Sequence, residues 1–202
     1  MELFKKILIG ITFYLIFSIL FILFFNKIMI FDHNIFFIIN SISNPFLDSF
    51  FIFITYLGSS VFWILMILLF WMRKQKKVSI YLIFAFIIDS ISSIFLKWLF
   101  VRPRPYECLS NLKVLGFEID IGPSFPSAHT QRAFSGATIL SSIYKKFRIT
   151  FFILAFLVGL SRIYIGMHYP IDTLIGMING ILFGLISLTF PTKKIQKKLE
   201  KI

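Results

Sequence analysis

Residues 161–190 read SRIYIGMHYP IDTLIGMING ILFGLISLTF, and this stretch decides the fold. It opens with an arginine and a histidine, places a proline and an aspartate next, and then continues as an apolar run. A bilayer core about 30 Å thick is crossed by a helix of about 20 apolar residues, and proline suits the first turn of a helix. The stretch therefore predicts a transmembrane helix over residues 170–190, with ionisable groups gathered at its start.

The composition extends this interpretation to the whole chain. Of 202 residues, 58% are apolar, 19% are aromatic and only 15% are charged, and phenylalanine alone occurs 28 times. A soluble domain is about half apolar and about a quarter charged, so the composition excludes a soluble or disordered chain. The single cysteine, Cys108, excludes an internal disulfide framework. We expect an all-α integral membrane protein with a single domain over residues 1–202.

Hydrophobic runs divide the chain into a bundle of six predicted transmembrane helices. A further apolar run, residues 31–42, is short and interrupted by polar side chains, and we interpret it as an interfacial helix that ends before Asn44-Pro45. The first span is longer than a signal peptide and is followed by no small-residue cleavage site. The second should bend near Gly58. The six spans are residues 7–25, 48–72, 78–99, 128–143, 149–162 and 170–190.

The basic residues predict the orientation of the bundle. Most of the 21 lysines and arginines fall at the N-terminus, between the second and third spans, between the fourth and fifth, and at the C-terminus. Six spans place these four regions on one side, and loops rich in Lys and Arg are cytoplasmic. We expect a plasma (inner) membrane protein with both termini cytoplasmic. The net charge of +12 is then a topology signal, and no nucleic-acid partner is expected.

Ionisable and polar side chains collect at the outer ends of the predicted helices. Charged groups near a bilayer are costly and usually functional, although any one of these cations could instead extend towards lipid headgroups. Arginine guanidinium groups and lysine ammonium groups that converge on one point can bind a phosphate group. They come from three separate loops that the topology places at one depth, and they are Lys97, Arg104, Ser127, His129, Arg162, His168 and Asp172.

The histidines in this set predict acid–base and nucleophilic chemistry. His168 and Asp172 are spaced i, i+4, which places them on one helix face, so the carboxylate can hold one ring nitrogen and leave the other free to attack. His129 could protonate a leaving oxygen. Ser127 is a candidate N-cap, a position that is compatible with phosphate binding at a helix start.

Metal catalysis is the competing chemistry. Glu118 and Asp120 lie close together, but the sequence offers no matching ligands beside them, and zinc or a hard divalent cation needs such a cluster. Three cations at the same point would also repel a metal ion. We therefore expect neither a metal nor another cofactor, and we assign no role to Cys108.

The pattern within residues 97–172 resembles the three-part signature of the type 2 phosphatidic acid phosphatase superfamily. Its parts are Lys97-x6-Arg104-Pro105, Pro126-Ser127-Ala128-His129 and Ser161-Arg162-x5-His168-x3-Asp172. The resemblance implies that His168 attacks phosphorus and becomes phosphohistidine, that Asp172 orients it, and that His129 is the general acid. It also implies that the phosphoryl oxygens are bound by Lys97, Arg104, Ser127, Arg162 and the backbone at Ala128, where family members usually carry glycine.

The resemblance implies a metal-independent lipid phosphatase with its active site at the outer helix ends. The favoured substrate is undecaprenyl pyrophosphate; lipid A, phosphatidylglycerophosphate and phosphatidic acid are alternatives. A lipid transporter is the alternative from another class, although transporters place charges near the midplane and often contain repeats, which this chain lacks. Substrate choice should depend on the loop over residues 106–125 and on the groove between spans. The sequence leaves the oligomeric state open.

Three further patterns concern packing and substrate contacts. Gly176, Gly180 and Gly184 recur every four residues, a spacing that lets helices approach closely. Asp89 lies two helical turns before Lys97, and we expect it to be a buried hydrogen-bonding group rather than a catalyst. Arg102 and Arg132 lie beside the signature, where they could contact a second phosphate or lipid headgroups.

Overall fold

The computed structural model of the chain describes residues 30–116 and 122–190, together with Thr12, Ile16 and Ile19. Apart from those three residues, the predicted first span, residues 7–25, lies outside the described residues. Within the described ranges every regular element is helical, which confirms the all-α prediction.

The described ranges contain eight α-helices and two short 3-10 turns. The turns, Tyr56–Gly58 and Lys145–Phe147, precede α3 and α7. The helices are α1 Ile30–Asn40, α2 Pro45–Thr55, α3 Ser60–Met72, α4 Lys76–Phe100, α5 Pro105–Cys108, α6 Ala128–Ile143, α7 Arg148–Tyr164 and α8 Pro170–Ser187.

Three helical segments in the described ranges are long and apolar enough to cross a membrane, namely Lys76–Cys108, Lys145–Tyr164 and Pro170–Ser187. The pair formed by Ile30–Asn40 and Pro45–Gly58 is bent by 119° and supplies a fourth if it counts as one broken span. The predicted total of six therefore stays a prediction, because α3 and α6, with 13 and 16 residues, fall short of the usual length.

Local capping signals set the starts of three helices, and those of α6 and α8 lie where the sequence predicted them, whereas α2 begins at Pro45, before the predicted start of the second span at residue 48. Asn44 caps α2 by accepting hydrogen bonds from the amides of Phe46 and Leu47, with Pro45 in the first turn. Ser127 caps α6, which spans its predicted range of 128–143. Pro170 begins α8, as expected.

The predicted bend near Gly58 is a complete break between α2 and α3. Ser59 is extended and caps α3 by accepting from the amide of Phe62 at 3.1 Å. A Cβ on Gly58 would lie 2.8 Å from the carbonyl oxygen of His129 and 2.7 Å from Val158. Only a glycine lets this turn pack so closely against the start of α6, and the break thereby brings the first turn of α3 beside His129.

The three glycines of α8 form a flat contact with α6. A Cβ on Gly176 would lie 2.6 Å from the carbonyl oxygen of Ser127, and one on Gly184 would lie 2.7 Å from the Cβ of Thr138. A Cβ on Gly180 would collide with the carbonyl oxygen of Gln131. The close packing that the glycine spacing predicted is confirmed, and it holds the starts of α6 and α8 together.

Asp89 is the buried hydrogen-bonding group that the sequence predicted. Its side chain is 2% exposed, and one carboxylate oxygen accepts from Ser135 Oγ at 2.9 Å and from Gln131 Nε2 at 3.2 Å. These bonds join α4 to α6 in the apolar interior, where polar groups need partners.

Candidate active site

Four helix ends meet around a cavity of about 560 Å³ at one end of the bundle. Lys97 lies in the last turn of α4, His129 in the first turn of α6, and His168 just before α8. The cavity is lined by Tyr56, Ser59, Ser60, Val61, Phe62, Leu65, Lys97, Arg104, Ala128, His129, Arg132 and His168. The structure thus brings together both predicted histidines and two of the three predicted cations.

Arg104 is held rigidly against His168. Its Nε donates to the carbonyl of Gly122 at 2.7 Å, and its Nη1 donates to the carbonyl of Met167 at 3.0 Å. Its own backbone amide donates to Glu107 Oε2 at 2.8 Å. Nη1 also lies 3.3 Å from Nε2 of His168, so the guanidinium is placed where a phosphoryl oxygen bound beside that nitrogen would be.

The contact with Arg104 selects one tautomer of His168. An arginine nitrogen donates hydrogen bonds and cannot accept them, so Nε2 of His168 must present its lone pair. The proton of the neutral ring then lies on Nδ1, which faces Asp172 Oδ2 at 3.5 Å. This arrangement leaves the lone pair of Nε2 facing Arg104, and His168 is one of the residues that line the cavity.

Lys97 and Arg132 place further positive charge on the cavity wall. The ammonium group of Lys97 donates to the carbonyl of Pro123. Arg132 Nη1 donates to the carbonyl of Gly58 at 2.9 Å, which links this side chain to the α2–α3 break. The prediction that Arg132 contacts a headgroup stays open, since its position on the lining is compatible with that role.

The sequence explanation for the pairing of His168 with Asp172 is wrong, although the pair does form. α8 begins at Pro170, so His168 lies in the preceding loop and shares no helix face with Asp172. The carboxylate folds back from the third helical position instead, accepting from the amide of Tyr169 at 3.0 Å. This capping bond, and not an i, i+4 register, carries Asp172 towards His168.

Arg102 lies away from the cavity lining and corrects the expectation that it contacts a phosphate or headgroup. It is 5% exposed and forms two buried ion pairs, with Asp172 Oδ1 at 2.7 Å and Asp32 Oδ2 at 2.5 Å. Asp32 in turn accepts from the amide of Ile171 at 2.8 Å. The sequence interpretation missed Asp32, although a carboxylate inside an apolar segment is itself a functional signal.

Tyr169 covers the outer face of this ion-pair cluster. The guanidinium carbon of Arg102 lies 3.9 Å from the centre of its ring, a cation–π distance, and His33 stacks on the ring at 5.1 Å. Burial raises the pKa of Tyr169 to about 12. The hydroxyl therefore stays neutral at physiological pH and adds no negative charge beside Arg102.

Ser127 and Arg162 lie behind the cavity wall and are not among its lining residues. Ser127 is fully buried, and its Oγ accepts from Thr130 Oγ1 at 3.0 Å. Arg162 donates to Thr55 Oγ1 at 2.8 Å, while its carbonyl accepts from the amide of His168 at 3.0 Å. Both residues support the site directly, and their predicted contacts with phosphate stay predictions.

None of the described residues of the loop over residues 106–125 lines the cavity. Residues 117–121 of this loop, including Glu118 and Asp120, lie outside the described ranges, so the predicted role of the loop in substrate choice stays a prediction. Within those ranges no three His, Cys, Asp or Glu side chains come together as the ligands of a metal ion would.

The comparisons with known proteins agree with this geometry. Residues 78–196 match the family model of the PAP2 superfamily. The chain is 33% identical over 148 residues to the bacitracin transport permease protein BcrC of Bacillus licheniformis, which covers 72% of this chain and 70% of that protein. It is 28% identical over 176 residues to an undecaprenyl-diphosphatase of Sulfolobus acidocaldarius, covering 84% and 85% respectively.

A solved structure resembles the fold over most of its length. It is the first transmembrane PAP2 type phosphatidylglycerolphosphate phosphatase from Bacillus subtilis, with a TM-score of 0.76, 28% identity, and coverage of 91% of this chain and 96% of that one. The family match spans more than half of the chain and includes both histidines of the cavity. The chain belongs to the PAP2 superfamily, and its enzymatic class is that of a lipid phosphatase.

Proposed function

We propose that this phosphatase hydrolyses undecaprenyl pyrophosphate at the cavity, through a phosphohistidine on His168 and without a metal ion. The observation that carries the proposal is the 3.3 Å contact between Arg104 Nη1 and Nε2 of His168. A nucleophilic nitrogen with a fixed cation beside it, in a cavity that also contains Lys97 and His129, suits in-line attack on a bound phosphoryl group.

In the first step Nε2 of His168 forms a bond to the terminal phosphorus. The bond from that phosphorus to the bridging oxygen breaks, and His129 gives its proton to the departing oxygen of undecaprenyl phosphate. Asp172 stabilises the imidazolium that develops on His168. In the second step water attacks the phosphohistidine, His129 takes a proton from it, and the phosphorus–nitrogen bond breaks to release inorganic phosphate.

The cations lower the barrier by stabilising charge on the equatorial oxygens. Phosphoryl transfer spreads negative charge over three oxygens, and groups fixed in advance need no reorganisation when that charge develops. Arg104 and Lys97 act from the cavity wall. We assign the remaining oxygen contacts to Ser127, Arg162 and the backbone at Ala128, at the start of α6.

The lipid part of the substrate lies along α3. Val61, Phe62 and Leu65 line the cavity on this side, and Leu65 is 58% exposed. An apolar wall that continues from a cationic cavity matches a ligand with a charged head and a hydrocarbon tail. In the proposed topology residues 7–25 provide the first of six spans, both termini are cytoplasmic, and the cavity faces the outside of the plasma membrane.

The undecaprenyl-diphosphatase among the relatives supports this substrate, and the phosphatidylglycerolphosphate phosphatase structure makes that lipid the first alternative. The test is a phosphate-release assay with purified protein on undecaprenyl pyrophosphate, phosphatidylglycerophosphate, phosphatidic acid and lipid A. The proposal expects the highest kcat/KM for the first, and no release by His168→Ala. A higher kcat/KM for another lipid would reject the substrate assignment.

The same assay addresses a transport function, which the name of the Bacillus licheniformis permease raises. Detergent-solubilised protein has no second compartment, so phosphate release in detergent is hydrolysis. Protein that moves lipid across vesicles but releases no phosphate in detergent would overturn the proposal.

A further inference from the structure

Asp32, Arg102 and Asp172 form a buried ion-pair cluster, and none of the three is among the cavity-lining residues. The cluster reaches the site through the carboxylate of Asp172, which faces His168. Arg102 uses one terminal nitrogen for each carboxylate, at 2.5 Å and 2.7 Å, and all three side chains are at most 5% exposed. Each oxygen of Asp172 thereby has a separate partner, because Oδ1 faces Arg102 while Oδ2 faces Nδ1 of His168 and the amide of Tyr169.

We infer that Arg102 and Asp32 are positioning residues for the reaction, which set the orientation of Asp172 and the net charge behind His168. This inference rests on the proposed role of His168 as nucleophile. α1 thus contributes to catalysis through Asp32, although none of its residues lines the catalytic cavity within the described ranges.

The charge of the cluster decides how strongly it favours protonation of His168. With two carboxylates and one guanidinium the cluster carries a net charge of minus one, which attracts a proton to the imidazole. Cations on the other side oppose that attraction. The charged and titratable groups that surround His168 are Asp172 and Tyr169 on its own segment, Asp32 on α1, Lys97 on α4, Arg102 and Arg104 between α4 and α5, His129 and Arg132 on α6, and Arg162 on α7.

A merely structural cluster and a positioning cluster make different predictions for the pH profile. His168 must be neutral to attack, so the acid limb of kcat/KM follows its protonation. Asp32→Asn keeps the side-chain size and changes the cluster charge from minus one to zero. The protonated imidazole then loses stabilisation, and we expect the acid limb to move by about one unit to lower pH.

A double variant separates charge from packing. Asp32→Asn combined with Arg102→Gln returns the cluster charge to minus one, and the two amides can hydrogen-bond to each other and to Asp172. We expect the acid limb to return to the wild-type position, although kcat falls because Asp172 loses its charged partner. The substrate phosphate titrates identically in every variant, so it cannot produce this reversal.

The experiment measures kcat and KM from pH 4 to 9 for the wild type, both variants, His168→Ala and Asp89→Asn. Asp89 is a buried carboxylate outside the cluster, with partners Ser135 and Gln131, so its neutralisation should leave the limb in place. An unmoved limb in Asp32→Asn, or a limb that fails to return in the double variant, would overturn the inference.

A replacement variant and the activity of His168→Ala distinguish a failure of the inference from a failure of the proposed function. If Asp32→Asn is not recovered as a monodisperse protein, Arg102→Lys replaces it; this variant keeps the charge, so a lower kcat with an unmoved limb supports the inference and a shifted limb opposes it. If His168→Ala retains wild-type activity, the proposed function fails whatever the limbs do. If it is inactive while the limbs stay fixed, only the inference fails.

Discussion

Nη1 of Arg104 contacts Nε2 of His168 at 3.3 Å, and the same nitrogen donates to the carbonyl of Met167 at 3.0 Å. In the proposed mechanism the guanidinium covers the lone pair of Nε2 until a phosphoryl oxygen offers a stronger, charge-assisted acceptor. That mechanism predicts that one side chain couples substrate binding to exposure of Nε2, and the geometry of that side chain is fixed by the backbone carbonyls of Gly122 and Met167.

The first prediction follows from this geometry. Arg104→Lys should lower kcat by about 100- to 1,000-fold, the usual effect of removing one preorganised donor, because a lysine cannot contact Gly122, Met167 and a phosphoryl oxygen together. Phosphate release by purified protein measures it. The matched control is Arg73→Lys at the exposed end of α3, which should keep wild-type rates; equal kcat in both variants would contradict the role of Arg104.

The second prediction concerns inhibitors. Vanadate can adopt the five-coordinate geometry of the phosphorus in the transition state, so it should compete with lipid substrate in the wild type.

Saturating EDTA should leave phosphate release unchanged, since the positive charge comes from Lys97 and Arg104. Activity that disappears in EDTA and returns with an added divalent cation would contradict a site built from side-chain cations.

The third prediction concerns the lipid tail. Leu65→Ser should raise KM for a long-chain lipid phosphate about 10-fold, because Leu65 lines the apolar side of the cavity, while kcat/KM for a short-chain soluble phosphate ester stays the same. Leu68→Ser is the matched control, since Leu68 is similarly exposed on α3 but is not among the cavity-lining residues. Identical behaviour of the two variants would exclude α3 as the tail-binding surface.

The fourth prediction concerns the contact of α6 with α8. Gly180→Ala should destabilise the protein by about 1–3 kcal/mol, the usual cost of overpacking, because the added methyl collides with the backbone of Gln131. Thermal unfolding in detergent measures the change. Gly159→Ala is the control: its Cβ would meet the Thr130 methyl at 3.2 Å, and a side chain yields more easily than a backbone. A larger loss of stability for Gly159→Ala would contradict this assignment.

The sequence predicted the features that depend on local signals. Pro170 and Ser127 mark helix starts in the sequence, and the structure begins α8 and α6 at those points. The four-residue spacing of the glycines predicted that α8 packs closely against a neighbouring helix. The position of Asp89 two turns before Lys97 in an apolar span predicted that Asp89 is a buried hydrogen-bonding group. In each case the cause lies within a few residues or on one helix face.

The features that the sequence interpretation missed depend on long-range contacts. Arg102 and Asp32 are 70 residues apart, and no local pattern reveals that one arginine joins two carboxylates. The approach of Asp172 to His168 was attributed to helical spacing, whereas a capping bond to Tyr169 causes it. Likewise, the contact of Arg162 with Thr55 requires α2 and α7 to be packed together.

The glycine face of α8 also determines which parts of this fold can accept substitutions without moving the candidate site. His129 lies in the first turn of α6 and His168 just before α8, and these two helices pack with their backbones in close contact. Exchanging side chains therefore does not adjust the separation of the two histidines. On the opposite wall this restriction applies at Gly58 in the α2–α3 break, whereas the cavity-lining side chains of α3 face open space in the cavity. New lipid preferences should therefore arise by remodelling residues 59–65, with the reaction chemistry inherited unchanged.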